Sequence, residues 1–558
     1  AEKIDAYIIP KNDEFFGEYV SRGNDRLNYI TNFTGSYGFS IILKNDNYLF
    51  VDGRYTLQAK KESGKSFQIV TIPRILPKDI LKKKRLVIGF DPKIFTNQVL
   101  VKLFRNTNCK LLPFNKNFID EIWNRKIVQN KEKFYIFNND FYSYDLKINK
   151  VVNNLKNKGA DFQFITSCEN NAWLLNIRGK DAEYTPIPHS YVLIDKSKNV
   201  KLFCDPRKIS RSLKNYFQKI EFLDFKSLNE ILRKISKKKF LIDRATCSIF
   251  FENIISKNNK ITSVIDPIYN FKAIKTKKEI SNIKRAHIYD GAALTKYLFW
   301  LKKNFNKKKI TEISSSQKLY KFRKKNKKFQ FLSFPTISGT GPNGAIIHYK
   351  ATKQTDRQLK KGDIYLVDSG GQYKFGTTDV TRTISLSNSN ERIKNIYTRV
   401  LKGHISVSDF KLKVNTSGDK IDVKARKYLK EIGLDYSHGT GHGVGYFLNV
   451  HEGPHAISKN NKIKFQEGMV VSNEPGYYEK NKFGIRIENL IYVKKENKKK
   501  LFENLTMAPI DKDMIETNIL NQKERDWLNS YHKKVYENLK KTMNNSEIKE
   551  LKKACSAI

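Results

Sequence analysis

The sequence predicts an α/β protein made of two similar α/β modules followed by a larger third domain, and three observations point to it. Short apolar runs bounded by turn residues alternate with helical stretches up to about residue 270. A helix-capping pattern then changes the texture at Thr276, and seven of the nine histidines lie between it and residue 505.

In the first module the strand candidates are Ala6-Tyr-Ile-Ile, Phe39-Ser-Ile-Ile-Leu, Tyr48-Leu-Phe-Val-Asp-Gly-Arg54 and Arg85-Leu-Val-Ile-Gly-Phe90. A second set follows Asn130: Phe162-Gln-Phe-Ile-Thr, Tyr191-Val-Leu-Ile, Val200-Lys-Leu-Phe and Phe240-Leu-Ile-Asp. The two sets have the same texture without a strict repeat. Thr276-Lys-Lys-Glu279 is a capping box, and Ile280, Ile283, Leu294, Leu298 and Leu301 follow at helical spacing, so a long helix opens the third domain. Near the end, Trp527, Leu528, Tyr531, Val535 and Leu539 share one face of an amphipathic helix that packs on the preceding domain or on a partner subunit. The expected division is 1–125, 126–270, 271–505 and a C-terminal helical extension over 506–558.

Composition narrows the class. Of 558 residues, 39% are hydrophobic and 12% aromatic, with only 28 Gly and 14 Pro, which excludes disordered, collagen-like and linker-like chains. No uncharged apolar run approaches the roughly 20 residues that span a bilayer. The opening Ala1-Glu-Lys-Ile-Asp lacks the basic-then-apolar order of a signal peptide, so a cytoplasmic protein without a membrane partner is expected. Cys109, Cys168, Cys204, Cys247 and Cys555 are scattered and form no CxxC pair, which reads as reduced thiols rather than a disulfide framework or zinc ribbon. The net charge of +49 would draw polyanions. Its lysines, however, are dispersed in short clusters (82–85, 237–239, 307–309, 323–328, 498–500) and no nucleic-acid-binding motif accompanies them, so they read as surface filler.

Chemistry concentrates in the third domain. Ile364-Tyr-Leu-Val-Asp368 is an apolar strand ending in an acid before a Gly turn, and Gly376-Thr-Thr-Asp379-Val-Thr-Arg-Thr-Ile carries a second acid that a hairpin would bring beside the first. Alone, such an Asp is a turn or cap residue. Ser437-His-Gly-Thr-Gly-His442-Gly-Val-Gly sets two histidines among four glycines, a composition that lets backbone approach a ligand closely. Met469-Val-Val-Ser-Asn-Glu474-Pro ends a strand in Glu, and Gly484-Ile-Arg-Ile-Glu488 reads as a strand with Arg486 and Glu488 on one face. Asp368, Asp379, His442, Glu474 and Glu488 offer four carboxylates and one imidazole, a set that suits a pair of divalent cations, Mn²⁺ foremost.

The order Asp, Asp, His, Glu, Glu in these contexts resembles the pita-bread metallopeptidases, which include methionine aminopeptidase, prolidase and aminopeptidase P. Closer features resemble the three-domain, cytosolic-type Xaa-Pro aminopeptidases: Thr31-Asn-Phe-Thr-Gly-Ser, Val51-Asp-Gly-Arg-Tyr, Asn171-Ala-Trp-Leu-Leu-Asn-Ile-Arg-Gly, Val450-His-Glu-Gly-Pro454 and the Trp527-Leu-Asn-Ser-Tyr-His tail. This likeness runs from about residue 5 to 540.

The resemblance implies two creatinase-N-like α/β domains and a pita-bread catalytic domain. Asp368 would bind one metal, His442 and Glu474 the other, Asp379 and Glu488 would bridge them, and a hydroxide between the cations would be the nucleophile, with Glu474 handling its proton. His348, His438 and His451 match family positions that line the substrate pocket, there to hydrogen-bond the scissile carbonyl and oxyanion or to move protons. The substrate would be a peptide with proline second, cleaved before that proline, and a homodimer is implied, with the Trp527 helix as one candidate contact. Two rivals are a prolidase-type dipeptidase and a silent relative that binds peptide or nucleic acid.

Overall fold

The apolar runs of the first 271 residues form two six-stranded sheets of identical topology. In the first, the spatial order is Gln68–Ile72, Asn47–Asp52, Phe39–Leu43, Ala6–Pro10, Val87–Phe90, Lys110–Pro113. In the second it is Ile220–Asp224, Val200–Cys204, Tyr191–Asp195, Phe162–Ile165, Lys239–Ile242, Lys260–Ser263. Each position has the same sense in both: the third strand is antiparallel to both its neighbours and every other pairing is parallel. This computed structural model describes residues 3–125, 130–137, 142–387, 389–497 and 499–558. Residue 126, the expected start of the second module, and Lys498 of the last lysine cluster lie outside them. The chain divides into two units, Ala1–Phe271 and Lys272–Ile558.

All eight expected strands of the first unit are present, and the four strands of the two six-stranded sheets that the apolar pattern did not mark are the outermost on each side; it also missed the small pair Tyr135–Ile136 and Ile177–Arg178. Ala6–Pro10 is buried throughout because its sheet is covered on both faces, Ile8 on one side and Tyr7 and Ile9 on the other. A strand so placed is a continuous apolar run. Lys110–Pro113 and Lys260–Ser263, at the edges, are half-exposed and mostly mixed in polarity.

In the second unit, Thr276 caps a helix over Lys277–Asn304, its side chain accepting from Glu279 N while Glu279 returns a bond to the cap. Ile280, Ile283, Leu294, Leu298 and Leu301 are all buried. The following helix, Glu312–Lys324, is tied to it by Arg323, whose Nε and Nη2 donate to Asp290 at 2.8 and 2.9 Å. Arg323, read above as part of a surface cluster, is therefore a fully buried ion-pair partner. The Gln522–Leu539 helix buries Leu528, Tyr531, Val535 and Leu539 in the unit's own core. Trp527 is spent there too, stacked on Tyr531 at 5.5 Å and edge-on to His404 at 5.9 Å. Among the described residues no helix is long and apolar enough to cross a membrane.

Two antiparallel hairpins organise this unit. Ile364–Ser369 pairs with Val380–Ser385, with Asp368 opposite Thr381. Val470–Asn473 pairs with Asn489–Glu496, with Asn473 opposite Asn489. The run expected as one strand over 484–488 is two: Phe483–Arg486 pairs with Gly476–Glu479, and Asn489–Glu496 belongs to a five-stranded sheet. Both pair in one register with the same arm, 470–479; between them Ile487 N still donates to Pro475 O, but Pro475 has no N–H to give and Glu488 N turns to Thr381 O, so the ladder is interrupted there.

Two buried histidines hold the Val470–Asn473 strand. His455 Nε2 lies 2.7 Å from Val470 O and His404 Nδ1 3.1 Å from Asn473 O. Neutral imidazoles donate these bonds, and burial pulls His455 down to about 4 and His404 down to about 3. The unfolded chain takes up a proton at each near pH 6.5, while the folded chain does not until far lower. Stability therefore falls on acidification below 6.5, by about 1.4 kcal/mol per pH unit for each imidazole. We expect His404→Gln to show a shallower loss of stability between pH 6.5 and 5 than the parent, as measured by urea denaturation at several pH values.

Candidate metal centre

Each hairpin delivers two acids to one place. Asp368 ends the Ile364–Ser369 strand and Asp379 directly precedes Val380–Ser385, while Glu474 and Glu488 flank the Asn473 and Asn489 pair of the other hairpin. Glu488 N donates to Thr381 O at 3.2 Å and Thr381 Oγ1 to Glu488 Oε2 at 2.7 Å, which stitches the two hairpins together. His442 comes from the short strand Gly441–Gly443, which pairs with Val470–Asn473. Gly441 is required there because a Cβ would lie 1.8 Å from Ser472 O. The glycine in this run thus serves the approach of neighbouring backbone, where the composition had suggested approach to a ligand.

The result is a converging donor set. One ligand atom each from Asp379, His442 and Glu488 lie within 4.8 Å of one another. His442 Nε2 is 3.4 Å from both Asp379 Oδ2 and Glu474 Oε1. Asp368, at 7% exposure, is held by Arg486 Nη2 at 2.7 Å. Ser472 Oγ donates to Glu474 Oε1 at 3.0 Å and accepts from His442 N at 2.9 Å.

Electrostatics of the set are strongly unfavourable to its anions. Burial, with Asp368 and Glu474 alongside, pushes the Asp379 carboxyl well above the ordinary range. Burial and the charges of Asp379 and Asp368 do the same to Glu488, and burial raises Glu474 against the opposing pull of His442. Asp368 Oδ1 and Asp379 Oδ1 are buried oxygens without a hydrogen-bond partner. Oxygen donors with one imidazole, orphaned acceptors and excess negative charge are what a hard or borderline divalent cation requires. The residues fit a metal centre.

The three remaining histidines lie around it. His451 is half-buried, its ring centroid 4.3 Å from that of His442. His438 Nε2 is 2.9 Å from Tyr478 OH, which accepts from Arg486 Nη1 at 2.6 Å, so His438 connects through two bonds to the partner of Asp368. His348 is half-buried between Ile347, whose carbonyl accepts from Arg486 Nη2 at 3.4 Å, and Tyr349.

Sequence reasoning did not assign Arg486, Thr381, Tyr478 or Ser472. Arg486 is 1% exposed and donates to Asp368, Thr381, Tyr478 and Ile347. Its place on one face with Glu488 was the signal. Thr381, opposite Asp368 in the hairpin, was one register step from being found.

The description of the metallopeptidase family M24 matches residues 281–495, and that of its C-terminal region matches 501–558. Creatinase/prolidase N-terminal domains match 1–120 and 128–279. A probable Xaa-Pro aminopeptidase P of Laccaria bicolor is 37% identical over 566 residues, covering 96% of this chain and 88% of its own. The X-prolyl aminopeptidase of Caenorhabditis elegans, a cytosolic enzyme with a di-nuclear active site, superposes with a TM-score of 0.94 at 29% identity, over 100% of this chain and 96% of that one. Prolidase of Pyrococcus furiosus superposes with a TM-score of 0.52 at 25% identity, over 64% of this chain and 98% of that one.

The charge balance has a measurable consequence. A carboxyl raised by its surroundings loses folded-state stability as pH climbs above its ordinary value, and an amide in its place does not. In metal-free protein, Asp379→Asn should be more stable than the parent at pH 8, by about 2 kcal/mol, with the gap closing toward pH 4. The same variant should lose divalent-cation binding by calorimetry.

Proposed function

We propose that this chain, which belongs to metallopeptidase family M24, hydrolyses the bond between the first residue of a peptide and a proline in second place. The observation that carries the reading is the convergence of Asp379, His442 and Glu488 within 4.8 Å, beside Glu474 and Asp368, on two stitched hairpins. The names of the Laccaria and Caenorhabditis relatives, which match nearly the whole chain, support the substrate class.

In this reading Asp368 would hold one divalent cation, His442 and Glu474 would hold a second, and Asp379 and Glu488 would be shared between them, with Mn²⁺ as the metal. When bound, such cations polarise a carbonyl and make water far easier to ionise near neutral pH. Glu474 takes the proton of the attacking water. Its carboxylate is oriented by Ser472 Oγ, and burial has already made it more basic than an exposed glutamate. It then returns that proton to the proline nitrogen, which has no hydrogen of its own in the peptide bond. His348, His438 and His451 hydrogen-bond the scissile carbonyl and the oxyanion that develops from it. His438 is held for this by Tyr478, and His451 packs against His442.

The prolidase reading is less well supported, because the Pyrococcus prolidase covers 64% of the chain against 100% for the Caenorhabditis aminopeptidase. Cytoplasmic location, a homodimer and the division at 125, 270 and 505 belong to the same proposal. The Trp527 side chain is engaged within its own unit and offers little to a dimer contact.

The test is release of the first residue from a short Xaa-Pro peptide by chelator-stripped protein, with and without Mn²⁺, beside a matched Xaa-Ala peptide and an Xaa-Pro dipeptide. Mn²⁺-dependent cleavage of the longer Xaa-Pro peptide alone is expected. Cleavage confined to the dipeptide would make the chain a prolidase, and no turnover with metal bound would make it a binding protein.

A further inference from the structure

Outside the metal centre, the second unit buries a carboxylate that the mechanism above does not use. Glu312, the first residue of the Glu312–Lys324 helix, is 0% exposed. No lysine, arginine or histidine pairs with it among the described residues. Its oxygens instead accept from Thr340 N at 2.7 Å, Asn343 Nδ2 at 3.0 Å, Tyr349 OH at 2.8 Å and Arg357 N at 3.1 Å. Glu312 N donates in turn to Arg357 O at 3.0 Å. A helix N-terminus favours the negative charge, and four neutral donors replace the water it has lost.

Those donors come from both ends and the middle of one segment, residues 340–357, which leaves the strand Ile337–Thr340 at its first residue and has beyond it a single 3₁₀ turn, Gly341–Ala345. The seventeen residues after that strand, without strands or long helices of their own, have their course set by such side-chain bonds. The segment also meets the metal centre. Gly344 O lies so close to Gly484 that a Cβ on Gly484 would come within 1.8 Å, and Ile347 O accepts from Arg486, which holds Asp368. His348 is therefore bracketed. The residue before it touches the arginine of the metal centre, and the residue after it is bonded to Glu312.

We infer that Glu312 is a positioning residue for the reaction: by fixing Thr340, Asn343, Tyr349 and Arg357 it sets where His348 stands against the scissile carbonyl. This rests on the role given to His348 above. Glu312→Gln keeps the shape but replaces one acceptor oxygen with an NH₂ group facing donors, so the segment must shift. A displacement of about 1 Å at a group that contacts the transition state can cost on the order of 100-fold.

The experiment is a double-mutant cycle on the metal-loaded protein with an Xaa-Pro peptide. Glu312→Gln should lower kcat by roughly 10- to 100-fold with KM changed less than about 3-fold, and His348→Ala should lower kcat by a similar factor. In the His348→Ala background, Glu312→Gln should then cost less than about 3-fold, because the residue it positions is gone. Metal content should be equal in all four proteins. Tyr349→Phe, which removes one donor and leaves the carboxylate intact, should show a smaller loss that likewise vanishes in the His348→Ala background, and it serves if Glu312→Gln does not fold. Full additivity of both variants with His348→Ala, or a Glu312→Gln protein as active as the parent, would overturn the inference while leaving the role of His348 standing. A fully active His348→Ala protein would overturn both.

Discussion

Asp368, Asp379, Glu474 and Glu488 place as many as four negative charges where water is nearly excluded, and their mutual repulsion is the constraint around which the second unit is built. Raised carboxyls at Asp379, Glu474 and Glu488 express that repulsion directly. One guanidinium, Arg486, sits among them and binds Asp368, which leaves the set with excess negative charge and with orphaned oxygens on Asp368 and Asp379. Removing the remaining repulsion by hydrophobic substitution would stabilise the fold and destroy the donor set. A divalent cation offsets the same repulsion without loss of the donors.

Holding like charges together needs a frame that cannot relax, and the frame here is backbone. The acids sit at the ends of paired strands, so their separation is set by ladder register rather than by side-chain choice. Beneath them Arg382 donates to the carbonyls of Thr381, Glu488, Ala508 and Pro509. It also reaches Asn489 Oδ1 and Tyr531 OH, so it ties both hairpins to the Gln522–Leu539 helix. His404 and His455 secure the Glu474 strand from either end. Relaxation of any one of these would let the carboxylates move apart.

Much of this was legible in the sequence, and the exceptions follow a physical pattern. The five donor positions could be read because each is an acid or histidine where a strand terminates or a glycine run turns, a place where local sequence says little else. The eight inner strands of the two six-stranded sheets were legible because burial on both faces leaves a mostly apolar run, whereas edges such as Lys110–Pro113 answer to solvent on one side. The split at Ile487–Glu488 was not legible. Alternation continues through it and the register is unbroken; the ladder is interrupted by Pro475, which has no N–H, and by the long-range bond from Glu488 N to Thr381 O. Arg323 and Arg486 were hidden for a related reason: an arginine is buried when a carboxylate from elsewhere in the chain meets it, and Asp290 and Asp368 lie 33 and 118 residues away.

The histidines of the second unit make the same point about chemistry. Sequence context could gather them but could not sort them, since the sorting depends on what each ring nitrogen meets. His287, His404 and His455 are buried and bond main-chain carbonyls of Ile283, Asn473 and Val470, and burial keeps all three neutral. A ring in that position has committed a nitrogen to the backbone and has no path to solvent or substrate. His348, His438, His442 and His451 are each half-buried, and three of them face side chains of the metal centre. Partial exposure beside a charged cluster keeps one side of an imidazole open to solvent, whereas full burial against a carbonyl makes it a strut. The division between buried strut and half-exposed ring in this unit is therefore one of solvation, drawn by the same hairpins that bring the carboxylates together.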